Sequence, residues 1–443
     1  MKSVDFLILG GGWTSLLVAK ELASKFQSAS IAVLEASSEN NLGGLLKSEY
    51  IKGFTFDTGG PHILFSKNKE ILSKISDILG KNIRQFERKA VVYYENKYVP
   101  YPFENGIYTL EPKKRAQIGF GIIKSMIEYS QNPSWKPPTF KDWIYGFFGK
   151  EMGSSYLEPY NRKIWKTDPG EMDASWVFSP GRLPFPVLED IILSIAGIES
   201  VGYKEQQFFL YPARGGIFGL YRGLFEKVKK ANVDLIPNFT VSNIKKANGG
   251  WLINDEVFAT KVISTLPLPI LPNIMELPAE ISRLCKQFIW NQDTVVGVSL
   301  NIPSPKEHVI YVPSPEINFH RITWMSNLAG APKGLSNLIA ETTAPYDEAV
   351  VIEDTIEKTI TGLIRMGIIK SKDQVLFAKA WNNKFAYPIY KIGHVEARNR
   401  VFEYFNEIGF HSIGRWGSWH YWNTDKVLEA VLALTDELTK SGN

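Results

Sequence analysis

Three glycines, Gly10, Gly11 and Gly12, separate an apolar run from a helical pattern, and an acid, Glu35, follows about 25 residues after the first of them, near the roughly 20-residue interval of dinucleotide sites. That combination can hold a nucleotide. Gly10 permits a tight turn, Gly12 leaves backbone N–H groups open to phosphate oxygens, and Glu35 can accept the hydroxyls of a ribose. Trp13, Thr14 and Ser15 begin the helix, and Ala36 follows the acid. Because Ser15 stands where such turns carry a third glycine, helix and strand are expected to pack slightly less closely. Further on, Gly43-Gly44-Leu45 and Gly59-Gly60-Pro61-His62 add glycines through which backbone donors can reach a large flat ligand.

The elements that must position these residues are a strand over 4–9, a helix from about residue 14 with apolar positions at Leu16, Ala19, Ala23 and Phe26, and a strand over 30–34. Asp5, the glycines and the lack of a small-residue cleavage site argue against a signal peptide. Two strands are expected within 86–103 around a turn at Glu95-Asn96-Lys97. Helices follow over 115–131, 139–148 and 152–164, punctuated by Pro133, Pro137 and Pro138. Strands are then expected over 233–236, 239–245, 251–253, 256–258 and 261–265, and again over 294–301, 308–312, 320–325 and 336–342. Amphipathic helices close the pattern at 352–366 and after residue 423.

A chain of 443 residues, 44% hydrophobic and 13% aromatic, holds more than one core usually serves, so two or three domains are expected. The net charge of +4 and the lack of a long Lys/Arg run exclude a nucleic-acid footprint. No apolar stretch is long enough for a membrane span. The six histidines never fall at helical spacing beside a second ligand, so no metal is expected. One cysteine, Cys285, forbids an internal disulfide and fits a reducing, cytoplasmic setting.

The glycine doublet after the first fingerprint resembles the FAD flavoproteins that include amine oxidases, protoporphyrinogen oxidases and UDP-galactopyranose mutases. Ordered blocks narrow the resemblance to the mutases, particularly the eukaryotic type. They are Gly60-Pro61-His62, Val99-Pro100-Tyr101-Pro102-Phe103, Pro159-Tyr160-Asn161 with Trp165, Tyr211-Pro212-Ala213-Arg214-Gly215-Gly216, Phe319-His320-Arg321, Ala386-Tyr387-Pro388 and residues 414–421. The resemblance implies an α/β fold: a Rossmann-like FAD-binding domain (1–85 with 205–270 and 390–443), a helical insertion domain (105–204) and a second mixed or antiparallel β-sheet domain (86–104 with 271–389).

It also implies roles. Gly10, Gly12, Trp13, Thr14, Ser15, Glu35, Ala36 and Val241 would hold the ADP half of FAD. Gly43, Gly44, Leu45, Gly60, His62, Gly414, Arg415, Asn423, Thr424 and Asp425 would surround the rest. Arg182 and Arg321 look like the arginines that grip a substrate diphosphate, and Tyr311, Tyr387 and Tyr421 like its tyrosine donors. Asn161 and Trp165 match a segment beside nucleotide and sugar, while Tyr101, Phe103, Glu104 and Tyr156 match the surroundings of the uracil. His62, Arg182 and Arg321 are the candidate catalytic residues. The implied reaction interconverts UDP-galactopyranose and UDP-galactofuranose through attack of reduced FAD N5 on the anomeric carbon, without net redox change. A growing negative charge on the leaving diphosphate is what planar arginines and phenols stabilise. With no second nucleotide fingerprint, NAD(P)H would serve only as a transient reductant. Oligomeric state is not legible.

Plainer readings stand beside these. Arg182 fits a helix terminus, Arg321 a surface ion pair, His62 a loop-anchoring hydrogen bond, and Trp165 and Trp176 core filling. Glu104 stands where the larger mutases have Gln, and His420 where they have Arg. A carboxylate can accept from a base N3–H but cannot donate to its O4. The other enzymatic reading is an FAD-dependent oxidase or desaturase, which calls for an apolar channel in place of a diphosphate clamp.

Overall fold

The computed structural model describes residues 1–178, 185–200 and 207–440. Arg182 and its block Ser179-Pro180-Gly181 lie outside the described residues.

The apolar opening run forms the strand Lys2–Leu9, at the centre of a sheet with the spatial order Ile244–Ala247, Gly250–Ile253, Val257–Ser264, Lys2–Leu9, Ile31–Leu34, Asp234–Ile236. Its two immediate neighbours are parallel to it. Parallel strands covered on both faces read as unbroken apolar runs, and all four residues of Ile31–Leu34 are buried. The helices Trp13–Lys25, Phe218–Lys230 and Thr424–Lys440 cover one face and share a core with it. Ala279–Cys285 and His394–Ile408 cover the other. The result is the Rossmann-like three-layer arrangement, with the glycine turn at the carboxyl end of its central strand.

Two expected strand boundaries differ. Val257–Ser264 is one continuous strand where two were expected, because it serves different neighbours along its length: Gly250–Ile253 and His411–Ser412 on one side, Lys2–Leu9 along the other. The segment expected as a strand over 239–245 is irregular until Ile244. Its backbone is engaged elsewhere, as Asn238 N donates to Ser37 O and Phe239 N to Glu35 O.

The second sheet runs Val375–Pro388, Trp290–Leu300, Ser336–Pro345, Arg321–Thr323, Val309–Tyr311, Ala90–Tyr94, Lys97–Pro100. It is antiparallel except where Val309–Tyr311 runs parallel to Ala90–Tyr94. Alternate residues point to opposite faces. Val296, Val298, Leu300, Ile310, Ile322, Leu338 and Ala340 share a core behind the sheet with Leu363 of the helix Ile352–Arg365. The intervening positions, among them Asp293, Tyr311, Arg321 and Glu341, face the other way. The edge strand Val375–Pro388 was not expected: Lys379, Asn382, Asn383 and Lys384 interrupt its apolar pattern, as suits an edge.

A helical layer packs against the second sheet: Pro112–Gln131, Phe140–Met152, Glu158–Trp165 and Leu188–Ala196. A Thr139/Asp142 capping box starts the second of these. Gly149, at φ +73°, then kinks it where an added Cβ would lie 2.5 Å from the Gly121 backbone. The helix expected over 152–164 is split: Gly153–Leu157 forms a π-helical turn before Glu158–Trp165. Such turns rotate the following side chains relative to a regular helix. The last helix is fastened to the second sheet. Asn291 Nδ2 donates to Ile164 O (3.0 Å) and Trp165 O (2.6 Å), and Thr343 Oγ1 to Lys163 O (3.1 Å) and Ile164 O (2.9 Å). These satisfy carbonyls that a helix C-terminus otherwise leaves open.

A buried carboxyl ties the Tyr211 block to the first layer. Asp57 accepts from Tyr211 Oη (2.6 Å), Ser48 Oγ (2.7 Å) and Ile217 N (3.0 Å). Burial outweighs these bonds and pushes its pKa up to about 6.

Candidate active site

At the glycine turn the acid already has backbone partners. Glu35 accepts from Gly11 N (2.6 Å) and Ser37 N (2.8 Å), which fixes its orientation and leaves lone pairs for a ribose. A Cβ on Gly12 would meet nothing within 4 Å, while one on Gly44 would lie 3.4 Å from Gly12 Cα. The doublet therefore packs on the fingerprint and leaves an open approach to its N–H groups. Ser15 does not loosen the packing: fully buried, it hydrogen-bonds Thr265 Oγ1 at 2.8 Å and bridges helix to strand. Trp13 Nε1 donates to Thr424 O (3.4 Å), and Gly414 abuts Thr14, where a Cβ would come within 2.6 Å of its Oγ1. Gly10 and Gly43 take positive φ in the turns. Val241 is half-buried in the loop beyond Asp234–Ile236, and Ala36 is exposed.

Gly11 and Glu35 line a recess of their own. From Leu45 and Gly60 a separate cavity of about 300 Å³ extends over the second sheet under the helical layer. Leu45, Gly60, His62, Arg415, Asn423 and Thr424 line its near end. Asp425 is buried and is absent from that lining; its carboxyl is pushed up by burial and hydrogen-bonded to Ser66. Burial, followed by the charges of Arg415 and Arg321, lowers the His62 pKa to about 3, so its ring is neutral. Its Nε2 and Arg415 Nε have no partner among the described residues. Arg415 otherwise donates to Ala386 O (2.6 Å) and lies over the Tyr421 ring at 4.2 Å.

The floor is a row of polar side chains on one face of the second sheet. Asn291 lies opposite Tyr387, Asp293 opposite Thr343, and Arg321 opposite both Glu341 and Tyr311. Arg321 forms a two-pronged ion pair with Glu341, Nε to Oε2 at 2.5 Å and Nη2 to Oε1 at 2.7 Å. Glu341 is 1% exposed and Arg321 24%, so the pair is no surface contact. Three of the five guanidinium hydrogens stay outside it. Tyr387 Oη lies 3.4 Å from the same Glu341 Oε1.

The far end is aromatic. Phe103 packs on Tyr156 with centroids 4.6 Å apart, and Tyr101 on Tyr311 at 4.9 Å. Glu104 lines this end, 3% exposed, with its pKa raised to about 7 by burial and, less, by Asp190. Overhead, Trp165 Nε1 donates to Asn161 Oδ1 (3.0 Å), and Asn161 Nδ2 donates to Leu157 O (2.8 Å). Asn161 thus steers the tryptophan ring towards Tyr421, 5.6 Å away. Trp176 lines the cavity while packing on Trp165 at 5.2 Å. His420 turns away from the cavity to Arg398 and stacks on Trp422.

All ten described substrate-site candidates therefore line one cavity. Three more residues join them unforeseen. Arg88 donates from Nη2 to Tyr311 Oη (2.7 Å) and lies 4.8 Å over the Tyr101 ring. The other two are Glu341 and Asp293, each the lone acid of a strand that is buried along most of its length, which is the one signal that could have exposed them.

Residues 8–78 match the family of NAD(P)-binding Rossmann-like domains. Nearly the whole chain shares its fold with a crystallised reduced UDP-galactopyranose mutase, at 22% identity over 99% of this chain and 94% of that one, TM-score 0.88. A candidate protoporphyrinogen oxidase from Exiguobacterium sp. 255-15 matches at 16% identity over 99% of both chains, TM-score 0.74. Cyclohexylamine oxidase from Brevibacterium oxydans IH-35A matches at 14% identity over 98% and 99%, TM-score 0.66. The fold that the sequence blocks implied is thus the fold of this chain.

Proposed function

We propose that the protein is an FAD-dependent enzyme which, with its flavin reduced, interconverts UDP-galactopyranose and UDP-galactofuranose or a closely related nucleotide sugar. The observation that carries this reading is the polar floor: Arg321, Tyr311 and Tyr387 in one row, with Arg88 and Tyr421 beside it. That many donors suit a diphosphate, whereas an amine or porphyrinogen substrate calls for an apolar channel.

The residues at the glycine end fit FAD. Gly12 leaves room for phosphates, Glu35 is oriented for a ribose, and the unpartnered His62 Nε2 and Arg415 Nε offer polar contacts to a ring system. Gly10, Gly12 and Glu35 would hold the ADP half; Leu45, Gly60, His62, Arg415 and the N-terminus of Thr424–Lys440 would hold the rest. When bound and reduced, the flavin supplies N5 as nucleophile towards the anomeric carbon. The protein's part is to bind and to balance charge. Arg321 and Arg88 offset the charge that grows on the departing diphosphate while Tyr311, Tyr387 and Tyr421 donate hydrogen bonds to it. Tyr101, Phe103 and Tyr156 flank the base, and the helical layer keeps water out. Arg182 joins this scheme on sequence grounds alone.

The test is a panel of UDP-hexoses offered to oxidised and to anaerobically reduced protein, read by chromatography of the sugar nucleotides. Ring isomerisation by the reduced form alone, with no net electron consumption, is expected. Isomerisation by the oxidised form overturns the role of N5, and reduction of the flavin by an amine with no isomerisation overturns the reading.

A further inference from the structure

Among the described residues, Asp293 is the one acid on the cavity floor whose carboxyl has an unused oxygen. It is 2% exposed, it lines the cavity, and its Oδ1 has no hydrogen-bond partner among the described residues. Glu341, on the same face of the adjacent strand and two residues from Thr343, Asp293's register partner, has both oxygens occupied by Arg321. Burial, and then the negative charge of Glu341, hold the Asp293 carboxyl well above the usual carboxylate range, with Arg321 opposing. Both causes favour its neutral, protonated form over the carboxylate. Tyr387 faces it on the floor, and His62 and Arg415 face the same cavity from beside Gly60.

A six-to-five ring exchange needs such a group. The bond from C1 to the ring oxygen O5 breaks and O5 must end as a hydroxyl; the O4 hydroxyl loses its proton as the C1–O4 bond forms. A buried acid on the cavity floor can supply that proton and take it back. The neighbours are poor donors. Glu341 is an ion-paired acceptor, His62 is neutral with its pKa lowered to about 3, and the Tyr387 hydroxyl is pushed well above its ordinary value by burial and by Glu341.

Resting on the mutase reading above, we propose that Asp293 is the carboxyl that protonates O5 as the pyranose ring opens and recovers a proton from O4 as the furanose closes. The Asp293 O–H bond breaks as O5–H forms, and it re-forms as O4–H breaks. Each turnover ends with the same protonated acid and no electron moved. Between the two transfers the transient carboxylate is stabilised by Arg321.

Asp293→Asn, which keeps the shape and removes the acid, separates the possibilities. Reduced enzyme is given UDP-galactopyranose carrying ¹⁸O in the bridge between C1 and phosphorus. Scrambling of the label into non-bridging positions, read by phosphorus NMR, reports cleavage of the C1–O bond, and chromatography reports ring exchange. The variant is expected to keep scrambling within about threefold while ring exchange falls roughly a hundredfold or more. Undiminished ring exchange, or equal loss of both, overturns the proposal. Neither event in the wild type overturns the mutase reading itself. A measurement without cofactor or turnover stands beside it: infrared spectra at pH 8.5, where Asp57 and Glu104, with pKa values of about 6 and 7, are ionised. A protonated-carboxyl band that vanishes in Asp293→Asn is expected, and its absence from the wild type overturns the assignment.

Discussion

In the glycine-rich region the exposed polar groups are largely backbone, and the fingerprint, Glu35, the doublet and Gly60-Pro61-His62 follow one another within one continuous stretch. On the floor, Tyr387, Asp293, Glu341, Arg321 and Tyr311 come from five strands that register alone brings together. A backbone site tolerates side-chain change wherever the backbone still fits. A site built from a charge-paired row does not, because removing one member leaves another buried and unpaired.

Four experiments press on that difference. Arg321→Ala should cost about 3–5 kcal/mol in urea unfolding, since it strands Glu341, and should weaken UDP binding roughly ten- to a hundredfold with FAD content unchanged. Calorimetric titration showing wild-type UDP affinity would remove Arg321 from the substrate clamp.

The buried Asp57 gives a pH signature. Its folded pKa, about 6, lies above the unfolded value, so its stabilisation is complete below the ordinary carboxylate range and is lost as pH rises through 6. The stability difference between wild type and Asp57→Asn should therefore change by roughly 2–3 kcal/mol between about pH 4 and 7.5, favouring wild type in acid. A pH-independent difference would mean that Asp57 is ionised throughout.

Glycine replacements divide the near end. Gly10→Ala faces φ +98° and Thr265 Oγ1 at 2.6 Å, and should lose about 2 kcal/mol of stability. Gly12→Ala meets nothing and should unfold within roughly 0.5 kcal/mol of wild type while losing affinity for FAD. Equal loss of stability in both would show that Gly12 serves the fold.

The smallest expected effect concerns Glu104. With its pKa raised to about 7, the neutral acid below that pH can donate to a base carbonyl as well as accept from N3–H. UDP affinity of the wild type should fall by up to about tenfold from pH 6 to 8, and Glu104→Gln should flatten the profile and bind at least as tightly. Matching changes in ADP affinity would take Glu104 away from the base.

Legibility followed the same division. The glycine turn, Glu35 and the parallel strands were readable because spacing along the chain is itself the signal. Arg321, Tyr311 and Tyr387 were reached only through resemblance of short blocks. Their partners Glu341 and Asp293 went unseen, since nothing local says which residues of separate strands will lie side by side. Arg88 had no signal beyond preceding an apolar strand. The π-helical turn at Gly153–Leu157 was hidden as well: it differs from a regular helix by one residue per turn, and its sequence reads as helix either way. Residues 239–243 alternate like a strand, but N–H groups among them go to Glu35 O and to the Asn254 side chain in place of a strand ladder.

The four hydrogen bonds that Asn291 and Thr343 send to the end of Glu158–Trp165 bear on how this architecture can be recombined. An insertion joined only at its two chain ends could be exchanged between relatives like a cartridge. Here the last turn of Glu158–Trp165 is completed by side chains lying far downstream in the sequence, so a chimera that imports this helix without matching positions 291 and 343 receives a helix with open carbonyls over the floor. The transferable unit is the helical layer together with two positions of the sheet beneath it.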